Sequence, residues 1–490
     1  MRKIAIVGAG PGGLAAGMIL SKMGHDVTIY EKDGIVGGRS KALKLGDFRF
    51  DAGPTFLMYV EILEEVFKKS GYDLHKELNL LPIDPLYKLV FPKVTFEPTN
   101  DKLNNKSMYD AYIKGLGDAY IKWYDDQKKK FDTITPLLLR PFDSLFDYLK
   151  PDTLRAIPSL QLSKTVYTSL KKIHPNPEFI HSLSFQAKYL GMSSYQAPAG
   201  FTFLPFLEHG FGLYHVNGGL NMINEKMAEL FVKNGGKLIL NAPVEEILVE
   251  KKIVYGLKVK GITMKFDDVV INADFSYAMT KLINPKHLKK YKPEKLAKKD
   301  YSISTMNIYL ALDKVFDIKH HQVVFSNDYD LYLQKILNNE FTDDLSYYIH
   351  NPSVMDDTMA PKGQSALYIL APVPNLRSKV DFDTYKLEVE EMLYKSIKER
   401  LGIDLKPHII DKLIITPKDW QDDYNVYLGA VFNLSHKLSQ MMHFRPHNKF
   451  EEIKNLYLVG GGTHPGSGLP TIYQSAILLK SFIKPAEKNS

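Results

Sequence analysis

Apolar positions cluster at the two ends of the chain. Residues 4–7 form a short apolar run, and Gly8-Ala9-Gly10-Pro11-Gly12-Gly13 follows without a break. Residues 14–23 then read as a helix, closed by Gly24, and a second apolar run over 27–30 ends on Glu31. The order is strand, glycine turn, helix, strand, acid. Near the other end, residues 455–459 read as a buried strand running into Gly460-Gly461-Gly462, with a helix over about 472–482. Between them the pattern predicts a helix over 222–232, a turn at Gly235-Gly236, a strand over 237–240 and a β-rich piece to Val270-Ile271. Strands are expected over 303–312 and 366–370. An amphipathic helix is expected over 384–401, with Asp383 as its N-cap. Residues 110–210 look mainly helical and aromatic-rich, and 201–207 are notably apolar. Singly, those residues read as core; as a group they suit the wall of an apolar tunnel.

This pattern predicts an α/β protein. A Rossmann-like nucleotide-binding domain is built discontinuously from 1–75, 215–295 and 420–490. Residues 76–214 and 296–419 form an inserted α+β substrate domain, whose helical part is expected to face a membrane. No repeat or low-complexity stretch interrupts it.

The glycine turn has a chemical reading. Gly8 permits the tight turn, Gly10 leaves the backbone open to a pyrophosphate, and Gly13 lets the helix pack close to the strand. The helix N-terminus offers free N–H groups and the positive end of a dipole. Glu31 suits a ribose diol, which favours FAD or NAD over NADP. Val36-Gly37-Gly38-Arg39-Ser40 brings a second backbone segment and a cation to the same phosphates, which favours FAD.

Composition narrows the classes. There is no cysteine, so disulfides, a thiolate metal site and a cysteinyl flavin are impossible. The histidines are scattered without metal-ligand spacing; no metal is expected, and the adjacent His320-His321 reads as a surface pair. The net charge of +7 is modest. Runs such as Lys128-Lys129-Lys130, Lys171-Lys172, Lys289-Lys290 and Lys298-Lys299 suit solvated faces or an anionic lipid surface. Nucleic acid is not expected, because no reading motif accompanies the charge. With neither a leader before the first strand nor an apolar stretch of spanning length, the expected location is cytoplasmic, peripheral on the inner face of the membrane.

The motifs together resemble the FAD-binding amine-oxidase and carotenoid-desaturase superfamily. Phe50-Asp51-Ala52-Gly53-Pro54-Thr55, His209-Gly210-Phe211-Gly212, Asn217-Gly218-Gly219-Leu220, Asn272-Ala273-Asp274 and Phe444-Arg445-Pro446-His447-Asn448 all fit. The run Thr463-His464-Pro465-Gly466-Ser467-Gly468-Leu469-Pro470-Thr471 resembles the C-terminal signature of bacterial phytoene desaturases. The resemblance implies FAD held by Gly8, Gly10, Pro11, Gly12, Gly13, Glu31, Lys32, Gly37, Gly38, Arg39, Gly53, Pro54 and Thr55. It adds Val244, whose backbone holds the adenine ring, and Gly461, Gly462, Gly468, Leu469, Pro470 and Thr471. The helix behind Gly468 is expected to aim its dipole at the flavin edge that gains charge on reduction.

The implied activity is desaturation of a C40 or C30 carotene. Hydride goes to the flavin, a proton is lost, and quinone or oxygen is the final electron acceptor. The proton acceptor is not identified; Glu208 and Asp147 are candidates, with His464 as polar support. Phytoene desaturation competes with a later step, such as 3,4-desaturation of a lycopene- or γ-carotene-like substrate. Leu469, Thr471, Ile472 and Tyr473 are bulkier than the residues of typical phytoene desaturases and favour a straighter substrate. Alternatives are a carotenoid isomerase, a flavin amine oxidase of the same fold, or a non-catalytic FAD-binding protein.

Overall fold

The computed structural model describes residues 1–487. Its nucleotide-type layer is a five-stranded parallel sheet in the order Lys237–Ile239, Asp26–Tyr30, Lys3–Val7, Asp268–Ile271, Leu456–Leu458. Three distant stretches of chain therefore share one sheet. The three inner strands are apolar and almost wholly buried, as expected when both faces of a parallel sheet are covered. One cover is the helix Pro11–Lys22, packed between Asn221–Lys233 and Leu469–Leu478. Gly17 permits this closeness: a Cβ there would stand 2.8 Å from Ile29 and 3.1 Å from Phe231. The other cover is the antiparallel sheet Val244–Glu250, Ile253–Val259, Ile262–Lys265.

A seven-stranded sheet forms the second layer system, in the order Ile409–Ile415, Ser304–Leu312, Ser365–Val373, Tyr347–His350, His321–Val324, Lys88–Val90, Thr95–Phe96. Helix Phe382–Leu401 lays Val389, Leu393 and Ile397 against it. Its N-cap is Asp381, whose carboxylate accepts the Asp383 N–H at 3.1 Å, and not the expected Asp383. The helix starts two residues early because Phe382 belongs to the buried face. A small sheet, Leu57–Met58, Leu213–Val216, Leu80–Ile83, stands between the two systems.

Residues 102–211 are helical, with Tyr109, Tyr120, Trp123 and Phe179 at their core. Two charge and histidine expectations are corrected. Lys130 is buried and donates to the Ala199 carbonyl at 3.1 Å and Thr202 Oγ1 at 2.6 Å, so only its neighbours face solvent. His320 and His321 are buried too, because the strand they begin is flanked on both sides within the sheet.

Among the described residues, no helix is long and apolar enough to cross a membrane. The loop and short helices after Leu116–Leu138 instead present a band of exposed apolar side chains: Leu145, Phe146, Leu149, Leu154, Ile157 and Leu162. Phe146 is 78% exposed.

Candidate active site

A cavity of about 550 Å³ runs from the glycine turn into the helical region. Its first end is backbone. Gly8, Gly10, Pro11 and Gly12 line it, followed by Glu31, Lys32, Gly38, Arg39, Gly53, Pro54, Thr55 and Val244. Gly461, Gly462, Gly468, Leu469, Pro470 and Thr471 close it from the C-terminal motif. Gly13 and Gly37 are not on the wall. A Cβ on Gly13 would stand 2.1 Å from the Gly8 carbonyl oxygen, so this glycine serves helix–strand packing. Gly37 shapes its loop, with φ +109° and an N–H that donates to the Ala9 carbonyl at 2.8 Å.

Glu31 is 5% exposed at the end of its strand. Its carboxylate accepts the Ala9 N–H at 2.7 Å and the Asp33 N–H at 2.9 Å. It thus ties the glycine turn to the second strand while lining the cavity. Burial raises its pKa, and these two N–H donors oppose the rise. Arg39 donates to the Val431 carbonyl at 2.6 Å, and Lys32 to the Asp423 carbonyl at 2.6 Å. Two motifs that are distant in sequence meet at Asp51. Its buried carboxylate accepts the N–H groups of Leu220 and Asn221 at 2.9 and 2.8 Å, at the start of helix Asn221–Lys233.

The C-terminal turn is held from behind by Arg445, which is fully buried. It donates to the Gly461 carbonyl at 2.7 Å and the Thr463 carbonyl at 3.0 Å, and burial pulls it down to about 10. His436 bridges at the side: Nδ1 bonds the Leu190 carbonyl at 3.0 Å and Nε2 accepts the Ser467 N–H at 3.1 Å.

The three proposed catalytic residues lie outside the cavity wall. Glu208 is completely buried in a network, taking bonds from Tyr87 at 2.9 Å and Gln186 at 2.7 Å. Asp147 closes a capping box with Ser144 and pairs with Arg140 and Lys150, which hold its pKa down against burial. His464 turns its Nε2 to the Arg140 carbonyl at 3.0 Å. Tyr473 is likewise core, while Leu469, Thr471 and Ile472 do reach the wall.

The other lobe is apolar. Phe131, Leu138, Phe201, Phe203, Leu204 and Leu207 line it, and it reaches Leu139 next to the exposed band. Lys188 borders this lobe, a residue the sequence did not signal. Its ammonium lies 5.2 Å from the Tyr329 ring centroid, and burial pulls it down to about 7.

The arrangement defines a nucleotide-cofactor enzyme with an attached apolar tunnel. The chain belongs to the flavin containing amine oxidoreductase family, whose model matches residues 11–478. It is a FAD-dependent oxidoreductase. Within that family its similarity is to carotenoid desaturases. It is 43% identical over 98% of its length to a 4,4'-diapophytoene desaturase (4,4'-diapolycopene-forming) of Methylomonas sp, covering 95% of that relative. An all-trans-zeta-carotene desaturase of Myxococcus xanthus is 33% identical over 99% of this chain and 93% of its own. An oxidoreductase structure from Methanosarcina mazei superposes with TM-score 0.67 at 17% identity, covering 98% of this chain and all of that one, and shows the shared fold. A putrescine oxidase structure does so with TM-score 0.63 at 14% identity, over 98% of this chain and 99% of that one.

The cavity's first end suits FAD by its own geometry. The helices Pro11–Lys22 and Leu469–Leu478 both begin at the cavity wall, offering N–H groups and positive dipole ends. Side chains are kept out of the cradle: a Cβ on Gly12 would stand 2.7 Å from Asn272 Oδ1, and one on Gly53 would stand 2.6 Å from the Arg39 carbonyl oxygen.

Proposed function

We propose that this enzyme desaturates an acyclic C30 carotene of the 4,4'-diapophytoene type. The observation that carries carotene chemistry is the continuity of one cavity from the glycine cradle into an apolar, aromatic-lined lobe. Such a substrate offers no polar handle, so only apolar contact can hold it. The C30 class rests on the 43% identity to the Methylomonas enzyme along nearly both chains.

The pyrophosphate would be held by the backbone of Gly10, Gly12 and Gly38 with Arg39 beside it, the ribose by Glu31, and the adenine by Val244. FAD, when bound, supplies the acceptor for a hydride taken from an allylic carbon. Each new double bond also releases one proton from the neighbouring carbon. Lys188, on the cavity wall with a pKa lowered to about 7, is the side chain this reading assigns to take it. Phe185 and Leu190 give that part of the wall an apolar lining. Quinone or oxygen would reoxidise the cofactor between turnovers.

A second reading is a later step, such as 3,4-desaturation of a lycopene- or γ-carotene-like substrate. Leu469, Thr471 and Ile472 on the cavity wall favour it by narrowing access. An apolar pocket discriminates between such substrates by only about 1–3 kcal/mol per methylene. The test is competition among 4,4'-diapophytoene, phytoene and lycopene in one liposome assay. Fastest turnover of 4,4'-diapophytoene is expected; fastest turnover of phytoene or lycopene would refute the C30 assignment.

We also propose reversible attachment to the inner face of the cell membrane. The exposed band from Leu145 to Leu162 adjoins the cavity end at Leu139, so a lipid-dissolved substrate would enter without crossing water. Arg155 stands exposed in that band, and each cation near an anionic surface adds about 1 kcal/mol.

A further inference from the structure

His215, His320 and His350 are brought together from three separate strands or strand ends. His215 lies in Leu213–Val216 of the small sheet, His320 immediately precedes His321–Val324, and His350 ends Tyr347–His350. All three are buried, at 0%, 6% and 1% exposure. Each offers one ring nitrogen, and these nitrogens lie within 4.8 Å of one another. His215 Nδ1, His320 Nε2 and His350 Nε2 have no hydrogen-bond partner.

The outer nitrogens explain why. His215 Nε2 bonds Asp356 Oδ2 at 2.7 Å, and His320 Nδ1 bonds His321 Nε2 at 3.1 Å. His321 Nδ1 in turn bonds Tyr348 Oη at 2.6 Å. The Asp356 carboxylate can only accept there, so His215 donates through Nε2 and its Nδ1 stays out of that bond. Asp356 is itself fixed, since its carboxylate also accepts the Gly218 N–H at 2.7 Å and the Thr358 hydroxyl at 2.6 Å. A proton on His320 Nδ1, donated to His321, leaves the inward nitrogen of His320 as a lone pair.

We infer that these three histidines form a site for a divalent first-row transition cation, of which Zn²⁺ is the type. Imidazole trios suit such ions, and a carboxylate behind a ligating ring is the usual orienting partner. The ring spacing agrees: centroids are 4.9 Å apart for His215–His320, 4.8 Å for His320–His350 and 6.2 Å for His215–His350. A tetrahedral ion holding nitrogens at about 2.0–2.1 Å sets them about 3.4 Å apart, so binding draws the three rings together. The ion would clamp the small sheet to the seven-stranded sheet. It would also anchor the chain His320, His321, Tyr348 and Thr55, which ends on the cavity wall; the last link is 2.7 Å. The inference stands apart from the desaturase reading, because it concerns metal content and not turnover.

The test uses the full-length flavoprotein purified without chelator or metal-affinity resin. Elemental analysis is expected to give close to one metal ion per chain. After chelator treatment, Co²⁺ titration should produce the visible bands of a nitrogen-ligated site at one equivalent, and Zn²⁺ should bleach them. Asp356→Asn should weaken Co²⁺ binding by about tenfold or more, and His350→Gln should abolish the bands. FAD content and circular dichroism check that each variant is folded. Wild-type protein that carries less than a tenth of a metal per chain and shows no Co²⁺ bands would overturn the inference, whatever the variants do.

Discussion

At the scale of single residues, charge placement decides the behaviour of the cavity. Glu31 accepts one backbone N–H from the glycine turn and one from Asp33 before any cofactor contact. Charge-assisted bonds are worth about 1.5–3 kcal/mol each. Glu31→Ala should therefore weaken FAD binding by at least about tenfold, read by flavin fluorescence titration, whereas Glu31→Gln should lose less. Unchanged affinity in the alanine variant would remove Glu31 from the site. Lys188 carries the opposite signature. Its folded pKa of about 7 lies well below that of a lysine in water, about 10.4. The cost of burying the charged form is complete below about pH 7 and is relieved as pH rises toward the unfolded value. The apoprotein should gain stability over that window by up to about 1.4 kcal/mol per pH unit from this group. Urea unfolding at several pH values should show that slope, and Lys188→Met should flatten it.

At the scale of elements, packing tolerances take over. The helix Pro11–Lys22 rests against its own strand turn at Gly13, where a methyl group would stand 2.1 Å from the Gly8 carbonyl oxygen. Gly13→Ala should push the helix off the sheet, cost about 1–3 kcal/mol in thermal unfolding, and lower FAD occupancy with it. Full occupancy and an unshifted melting curve would show that the helix has room. These elements were legible from sequence because period and punctuation agree: Gly24, with φ +87°, stops the helix where the apolar pattern stops. The apolar stretch 201–207 was legible as a group, and Phe201, Phe203, Leu204 and Leu207 do line the cavity. The histidine cluster was illegible, since its members meet through pairings such as His321 with His350 that no local spacing encodes. Lys188 was equally hidden: one lysine among many looks solvated until neighbours from Tyr329 and the cavity wall are known. Glu208 and Asp147 show the converse: the structure puts them off the cavity wall. Acids beside motifs also cap helices and fill buried networks, and theirs are so engaged.

The whole molecule adds what no element shows alone. The exposed band follows Leu139, a residue of the apolar lobe's wall, along the chain. Phe146→Glu combined with Leu149→Glu should reduce co-sedimentation with anionic liposomes several-fold while leaving FAD content intact. Undiminished sedimentation would place the attachment elsewhere. The central sheet has a further consequence for how the enzyme comes into being. Its strand Leu456–Leu458 pairs with Asp268–Ile271, which pairs with Lys3–Val7. The strand that completes this sheet is separated from the first glycine turn by nearly the whole chain given, so a flavin can be enclosed only after both stretches have been made and have paired.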